Sequence, residues 1–489
     1  MGIFYLPKDG VCGDFIPYYN PKRKCYELYY LHDYRGCNGE GEGTPWRRIT
    51  TTDMVNFTEE GEILPRGNRE DQDLFCYTGC VVEYDDKYHI YYTGHNYHFT
   101  EEGRHKESVM HATSVDGITW EKQPQDTFFA AEDREDIEQD DWRDPFVFYQ
   151  EEEQKWWMLL CTRKKEGPSR RRGATGLLTS DDLVHWSYEG SYWDPHMCWC
   201  PECPDLFQWG EYWYFIYSTF CETQGLRTYY RISKSSRGPW KNPGNNCFDG
   251  RAFYAGKTAS DGKSRYIFGW NPTKTGDKDD GVWQWGGNLI VHKLRQDADG
   301  SLSVSMPEKI AEAYREEQRM YLQPTYGMYE ELENGFVLKA QSGVGNILIS
   351  DISKECMVEF EILLSKDTDS AGIMVKVTGE GAGGYYIRLE PGRNRFLFDR
   401  EPAYPHEKAE IERFVEIDTL KWHSVKVILD GTCVLAYLDD KYALSARMYD
   451  FDSDKMMFFV NDGEVSIRNL RMRRLKCKEI QNTPIKERR

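Results

Sequence analysis

Three acidic residues fall where the chain could bring them together to do chemistry. Asp14 follows Gly13, Asp144 stands in Trp142-Arg143-Asp144-Pro145, and Glu202 stands in Cys200-Pro201-Glu202-Cys203-Pro204-Asp205. Carboxyls gathered from distant segments repel one another. With partial desolvation, that repulsion raises the proton affinity of at least one while others stay ionised. Cleavage of a glycosidic acetal needs this division of labour, with one carboxylic acid protonating the departing oxygen and one carboxylate attacking or activating water. The spacing Cys198-x-Cys200-x2-Cys203 has no second matching pair, so it reads as strand-edge cysteines and no metal site is expected. Arg170-Arg171-Arg172, beside Lys164 and Lys165, reads as a solvated loop.

The elements that position these residues announce themselves as a repeat. An aromatic strand recurs as Cys25–Leu31, Lys87–Thr93, Lys155–Cys161, Glu211–Tyr217 and Ser264–Trp270, with starts 62, 68, 56 and 53 residues apart. A shorter apolar strand precedes it across a polar turn, as in Phe15–Tyr19, Cys80–Tyr84, Pro145–Tyr149 and Asp205–Trp209, which makes a repeated hairpin. Four copies are followed by an echo ending in an aromatic: Thr52–Phe57, Ser114–Trp120, Ser180–Trp186 and Ser233–Trp240. Units of three or four strands without helical interludes read as blades of a propeller, and five copies give five blades. The first strand of each blade lines the channel, so Asp14, Asp144 and Glu202, read as lying just before that strand in blades one, three and four, should share one central pocket. A β-sandwich with coincidental aromatic strands is the alternative.

The periodicity stops near Val291. The expected domains are a five-bladed β-propeller over 1–305, a helical linker over 306–322 and a C-terminal β-sandwich over 323–480, so the fold class is all-β. A chain of 489 residues supports two such domains. The net charge of −19 disfavours nucleic acid and anionic membrane as partners and suits a neutral ligand. No basic start precedes an apolar stretch and no segment reaches eighteen uninterrupted apolar residues, so secretion and membrane spanning are not expected and a cytoplasmic setting is. The 14 cysteines then read as reduced, small core residues. Aromatic side chains make up 15% of the chain; Trp46, Trp142, Trp199, Trp270, Trp283 and Trp285 are candidates to stack on sugar, with Trp46 and Trp285 placed in loops by Gly and Pro neighbours. His95, in Gly94-His95-Asn96, is a further candidate contact.

These residues resemble glycoside hydrolase family 32, the fructofuranosidases that include invertases, inulinases and levanases, over nearly the whole chain. Trp142-Arg143-Asp144-Pro145 looks like the family's Arg-Asp-Pro motif and Glu202-Cys203 its Glu-Cys motif. Tyr77-Thr78-Gly79-Cys80, Phe253-Tyr254-Ala255 and Gly269-Trp270 add weaker matches. The resemblance implies a five-bladed propeller with a C-terminal sandwich, Asp14 as nucleophile, Glu202 as acid/base, Asp144 as transition-state stabiliser and Arg143 orienting the carboxylates. It implies retention of configuration, a small carbohydrate substrate and no cofactor. Tyr77, Thr78, Cys203, Trp270 and Trp285 join Trp46 and His95 as expected substrate contacts. Where the family shows Trp-Met-Asn-Asp-Pro-Asn-Gly, this chain keeps only the Asp, in Gly10-Val-Cys-Gly-Asp-Phe-Ile-Pro17, which implies a divergent subgroup acting on fructosides or related furanosides. Two other readings fit the same blades: an inverting arabinofuranosidase or xylosidase, and a non-catalytic sugar-binding propeller. The sandwich is expected to be a packing partner that stabilises the propeller or a homo-oligomer.

Overall fold

A computed structural model describes residues 2–131, 134, 136–219, 226–402 and 409–475. The last five residues of the expected sandwich, 476–480, therefore lie outside the described residues.

The aromatic repeat forms the second strand of each blade: Cys25–Asp33, Lys87–His95, Lys155–Lys164, Tyr212–Thr219 and Arg265–Lys274. Each pairs antiparallel with an inner strand before it, namely Val11–Asn20, Phe75–Tyr84, Ile137–Gln150, Glu202–Trp209 and Tyr254–Ser260, and with a third strand after it. Second strands are buried along almost their whole length because a blade packs against neighbours on both faces, which selects runs such as Trp156-Trp157-Met158-Leu159-Leu160 over alternation. Outer strands such as Ser187–Trp193 are half-solvated and alternate. Apolar clusters fill the gaps between blades: Ile16, Tyr29, Trp46 and Tyr92 between blades one and two, Tyr91, Trp142 and Met158 between two and three, Trp157, Leu206 and Phe215 between three and four.

The aromatic-ending echoes are not strands in the first three blades but the turns that follow the third strand. There Thr51 with Asp53, Ser114 with Asp116, and Ser180 with Asp182 accept the next backbone N–H groups, so the side chains supply the turn's hydrogen bonds. Closure of the ring joins its ends, since Cys12 of blade one pairs with Gly287 of blade five.

Within the linker the helix is short, Glu308–Ala313, and Tyr314–Glu317 is a strand paired with Glu317↔Arg473 and Tyr314↔Leu475. The sandwich's pairing thus begins inside the stretch expected to be helical. Its longest strand, Met456–Leu475, pairs with Ser370–Thr378 through its first part and with Glu355–Leu364 through its second. The change falls at Asp462 and Gly463, both with left-handed φ (49° and 76°), where the strand turns a corner from one sheet to the other. The propeller docks on the sandwich through one continuous core, in which Phe253, Leu289 and Ile290 share a cluster with Met357, Ile428 and Leu435. Asp249 bridges the two: it accepts the Ser445 N–H at 2.8 Å and pairs with His292 Nε2 at 3.1 Å. Among the described residues no helix is long and apolar enough to cross a membrane.

Candidate active site

All five inner strands are broken at the same place. Two residues oppose one across the hairpin: Asp14 and Phe15 against Tyr30, Thr78 and Gly79 against Tyr92, Asp144 and Pro145 against Leu160, Cys203 and Pro204 against Tyr217, Ala255 and Gly256 against Gly269. The first bulge residue is left-handed at Asp14 (φ 46°), Asp144 (59°), Cys203 (51°) and Ala255 (52°). Such a bulge re-aims side chains, here toward the hub. The three carboxyls lie inside these strands and not before them. Asp14 and Asp144 hold equivalent positions, but Glu202 stands one residue earlier, in the place that Arg143 holds in blade three, while Cys203 is the true counterpart of the aspartates.

A cavity of about 880 Å3 occupies the hub, and Asp14, Tyr77, Thr78, Arg143, Asp144, Glu202, Cys203 and Trp285 all line it. Asp14 is held from both sides: the Thr78 hydroxyl donates to Oδ2 at 2.7 Å and the Trp270 indole N–H to Oδ1 at 2.8 Å. Glu202 accepts from Arg143 at 3.0 Å on Oε1 and from the Tyr254 hydroxyl at 2.6 Å on Oε2. Asp144 Oδ2 accepts the Cys203 N–H at 2.9 Å, and the Asp144 N–H donates to Thr93 Oγ1 at 2.8 Å. Arg143 also donates to Asp141 at 2.6 Å and Glu107 at 3.4 Å.

These partners separate the carboxyls electrically. Burial pushes Glu202 up to about 7; Arg143 opposes the rise, the Asp144 charge adds to it and Tyr254 opposes it. Burial pushes Asp14 up to about 6, with the Thr78 hydrogen bond opposing and the Asp144 charge adding. Burial also raises Asp144, against the pull of Arg143. Asp141 and Glu107 are buried, yet Arg143 holds both below the usual carboxylate range. One pocket therefore contains a carboxyl that stays protonated near neutrality beside one that ionises earlier, the arrangement that acid-assisted displacement at an acetal requires.

Two expected contacts are placed elsewhere. Trp46 is fully buried at the start of the strand Trp46–Thr51, and its indole N–H donates to the carbonyls of Cys76 and Tyr77, so it ties blade one to blade two and does not line the hub cavity. Its Gly and Pro neighbours mark the loop before it, not its own position. His95 lies outside the cavity lining, stacked on Tyr77 with ring centroids 4.5 Å apart and Nδ1 3.4 Å from Glu107. Thr78 and Trp270 meet Asp14 and thereby orient it. Of the other tryptophans, Trp199 lines the cavity beneath the Arg163 guanidinium, 3.7 Å from its ring, whereas Trp142 is core and Trp283 stacks under Lys274. Sequence reasoning did not assign Tyr254, Asp141, Glu107 or Lys106 to the site. A signal existed for Tyr254, since Tyr254-Ala255-Gly256 repeats the pattern of a cavity residue, a bulge and a Gly or Pro seen in Tyr77-Thr78-Gly79 and Glu202-Cys203-Pro204. Cys198, Cys200 and Cys203 are buried, and Cys200 donates to Asp141 at 3.5 Å.

The chain is 26% identical over 460 residues to raffinose invertase of Escherichia coli, covering 86% of this chain and 84% of that protein. It is 22% identical to the levanbiose-producing levanase of Bacillus subtilis (strain 168), covering 92% and 87%. Its fold superposes on sucrose-6-phosphate hydrolase from Lactobacillus gasseri with a TM-score of 0.72 at 17% identity, over 97% of this chain and 93% of that one. Residues 17–303 match the glycosyl hydrolases family 32 N-terminal domain, which is more than half of the chain, and the protein accordingly belongs to glycosyl hydrolase family 32.

Proposed function

We propose that the protein is a retaining β-fructofuranosidase acting on sucrose-like oligosaccharides or fructans. The observation that carries this reading is the pair of carboxyls in one cavity: Asp14, held by Thr78 and Trp270, and Glu202, held by Arg143 and Tyr254 and pushed up to about 7 by burial. Glu202 gives its proton to the departing glycosidic oxygen while an Asp14 oxygen attacks the anomeric carbon; the C–O bond to the leaving group breaks as the ester to Asp14 forms. Water then attacks that carbon, Glu202 takes the water's proton, and Asp14 leaves as carboxylate. Thr78 and Trp270 each occupy one Asp14 oxygen, fixing its plane toward the sugar. Asp144 is assigned the sugar hydroxyls and the transition-state charge, and Arg143 sets the orientation of Glu202. Tyr77, Cys203 and Trp285 complete the sugar contacts, and the reaction as written needs no cofactor.

Residues 1–305 are proposed as the catalytic propeller, 306–322 as a linker whose strand Tyr314–Glu317 already joins the sandwich's pairing, and 323–480 as the rest of the sandwich. Free thiols among the described cysteines support a reducing, cytoplasmic setting. The test is incubation of the protein, Asp14→Asn and Glu202→Gln with sucrose, raffinose, inulin, levan and arabinofuranosides. Release of fructose that falls on the order of 10³-fold or more in kcat with either substitution is expected. Activity that survives in Glu202→Gln reassigns the acid, and a product with inverted anomeric configuration overturns the covalent route.

A further inference from the structure

The residue before each bulge reaches the hub beside the first bulge residue. In blades two to five it is Tyr77, Arg143, Glu202 and Tyr254, and all four line the cavity. In blade one it is Gly13, which offers no side chain. Its φ is outside the left-handed region, so the backbone does not demand glycine. What bars a larger residue is an indole: a Cβ on Gly13 would stand 2.6 Å from Trp285 Cζ2 and 2.9 Å from Cε2 and Cη2. Trp285 belongs to Trp283–Gln296, the third strand of blade five, which Cys12↔Gly287 joins to blade one. Arg35 donates to the Trp285 carbonyl and to Gln284 Oε1 beside it, and the ring leans on Trp270 with centroids 5.8 Å apart. The indole is thus clamped by backbone, ring and the vacancy at 13, and it lines the cavity beside Asp14.

We infer that Gly13 and Trp285 form one specificity-determining unit, in which an indole borrowed from blade five fills the blade-one place of the hub ring. The inference rests on the β-fructofuranosidase reading for the reaction and adds to it which part of the sugar is selected by shape. The other four blades present phenol, guanidinium or carboxyl to the glycon, groups that penalise a missing hydroxyl because a buried polar partner is left unpaired. At the blade-one place, beside the Asp14 carboxyl that the Trp285 side chain also helps to hold ionised, the ring carbons of the indole take the space of a side chain at 13. Packing against those carbons discriminates weakly between a hydroxyl and a hydrogen, so this enzyme accepts furanosides deoxygenated at the hydroxyl nearest blade one.

The test is a double-mutant cycle of Gly13→Ser and Trp285→Ala, with Gly13→Ala and Trp285→Phe as a milder pair should the first fold poorly. kcat and KM are read on sucrose and on monodeoxy methyl β-fructofuranosides, and thermal midpoints are read in parallel. Gly13→Ser alone should lower kcat/KM about 10²-fold by displacing the indole, and Trp285→Ala alone should raise KM about tenfold. The double substitution should be at least tenfold better than the product of the single effects, and should reject one deoxy analogue about tenfold more strongly than the parent enzyme does. Effects that simply multiply, an unimpaired Gly13→Ser, or unchanged selectivity among the deoxy analogues in the double variant would each overturn the inference. A parent enzyme inactive on every fructoside would overturn the functional reading instead; the coupling in thermal midpoints would then still report whether residue 13 and the indole compete for one space.

Discussion

Asp14 and Glu202 share a cavity but are steadied by different neighbours, and the difference is what makes their titrations separable. The proposed reaction requires Asp14 ionised and Glu202 protonated, so kcat/KM should rise with pH through about 6 and fall through about 7, as the two steps of one coupled pair. The Thr78 hydroxyl donates to Asp14 and favours its ionised form. Thr78→Val removes that preference, raises the Asp14 value and moves the acid limb upward by about one pH unit, the worth of one hydrogen bond to a charged group. Tyr254 does the same for Glu202, so Tyr254→Phe raises the Glu202 value and moves the alkaline limb upward, widening the active range on its basic side. Profiles of kcat/KM against pH for the two variants check both signs; a shift of the wrong limb in either would misassign the pair. At this scale the carboxyls were legible because acid residues near repeated strand starts are countable in a sequence. Trp46 was not, since the residue types around a tryptophan describe the neighbouring loop and say nothing of which way the indole turns. Asp141 and Glu107 were hidden for another reason: their role comes from a guanidinium that reaches the first along its own strand and the second across strands.

The bulge is the element that converts five ordinary hairpins into a site. In blade two it depends on Gly79, where a Cβ would meet the Tyr91 carbonyl at 1.9 Å. Gly79→Ala should cost about 1–3 kcal/mol by overpacking and pull Thr78 off Asp14, so that the thermal midpoint and kcat fall together. An unchanged kcat in a destabilised variant would mean that the bulge does not aim Thr78. The second strands were readable from sequence because both their faces are buried and their apolar runs are unbroken. The outer strands were not, because half-solvated alternation over a few residues resembles a polar loop. The echoes ending in an aromatic were misjudged in kind: Ser or Thr followed two residues later by Asp is the signature of a side-chain-capped turn, and its regular recurrence carried the period without marking a strand.

Across the whole molecule, a seam of buried contacts couples the two domains. Asp249 is buried there, and hydrogen bonds from His292 and Ser445 hold its carboxyl below the usual range against the cost of burial. A group lowered in this way contributes stability above its unfolded value of about 3.9, and loses that contribution as pH falls toward its folded one. Asp249→Ala leaves the Ser445 N–H without its acceptor, which should cost about 1–3 kcal/mol and separate propeller and sandwich unfolding in calorimetry. A single unchanged transition would show that the apolar core alone couples them. The division into propeller and sandwich was legible where the aromatic period ends. The start of the sandwich was not, because Tyr314–Glu317 becomes a strand only through a partner about 160 residues later, at Arg473–Leu475.

The strand Met456–Leu475 is a keel shared by both sheets, and it emerges from the ribosome after every strand it joins. The propeller has all its blades once residue 305 is made, whereas the sandwich waits for residue 475; at about 5–20 residues per second that is roughly 10 to 35 seconds of translation. During that interval a finished catalytic ring trails sheets that have no common spine. Nascent chains stalled before residue 456 should therefore hold a protease-resistant propeller while their C-terminal segments remain open to digestion.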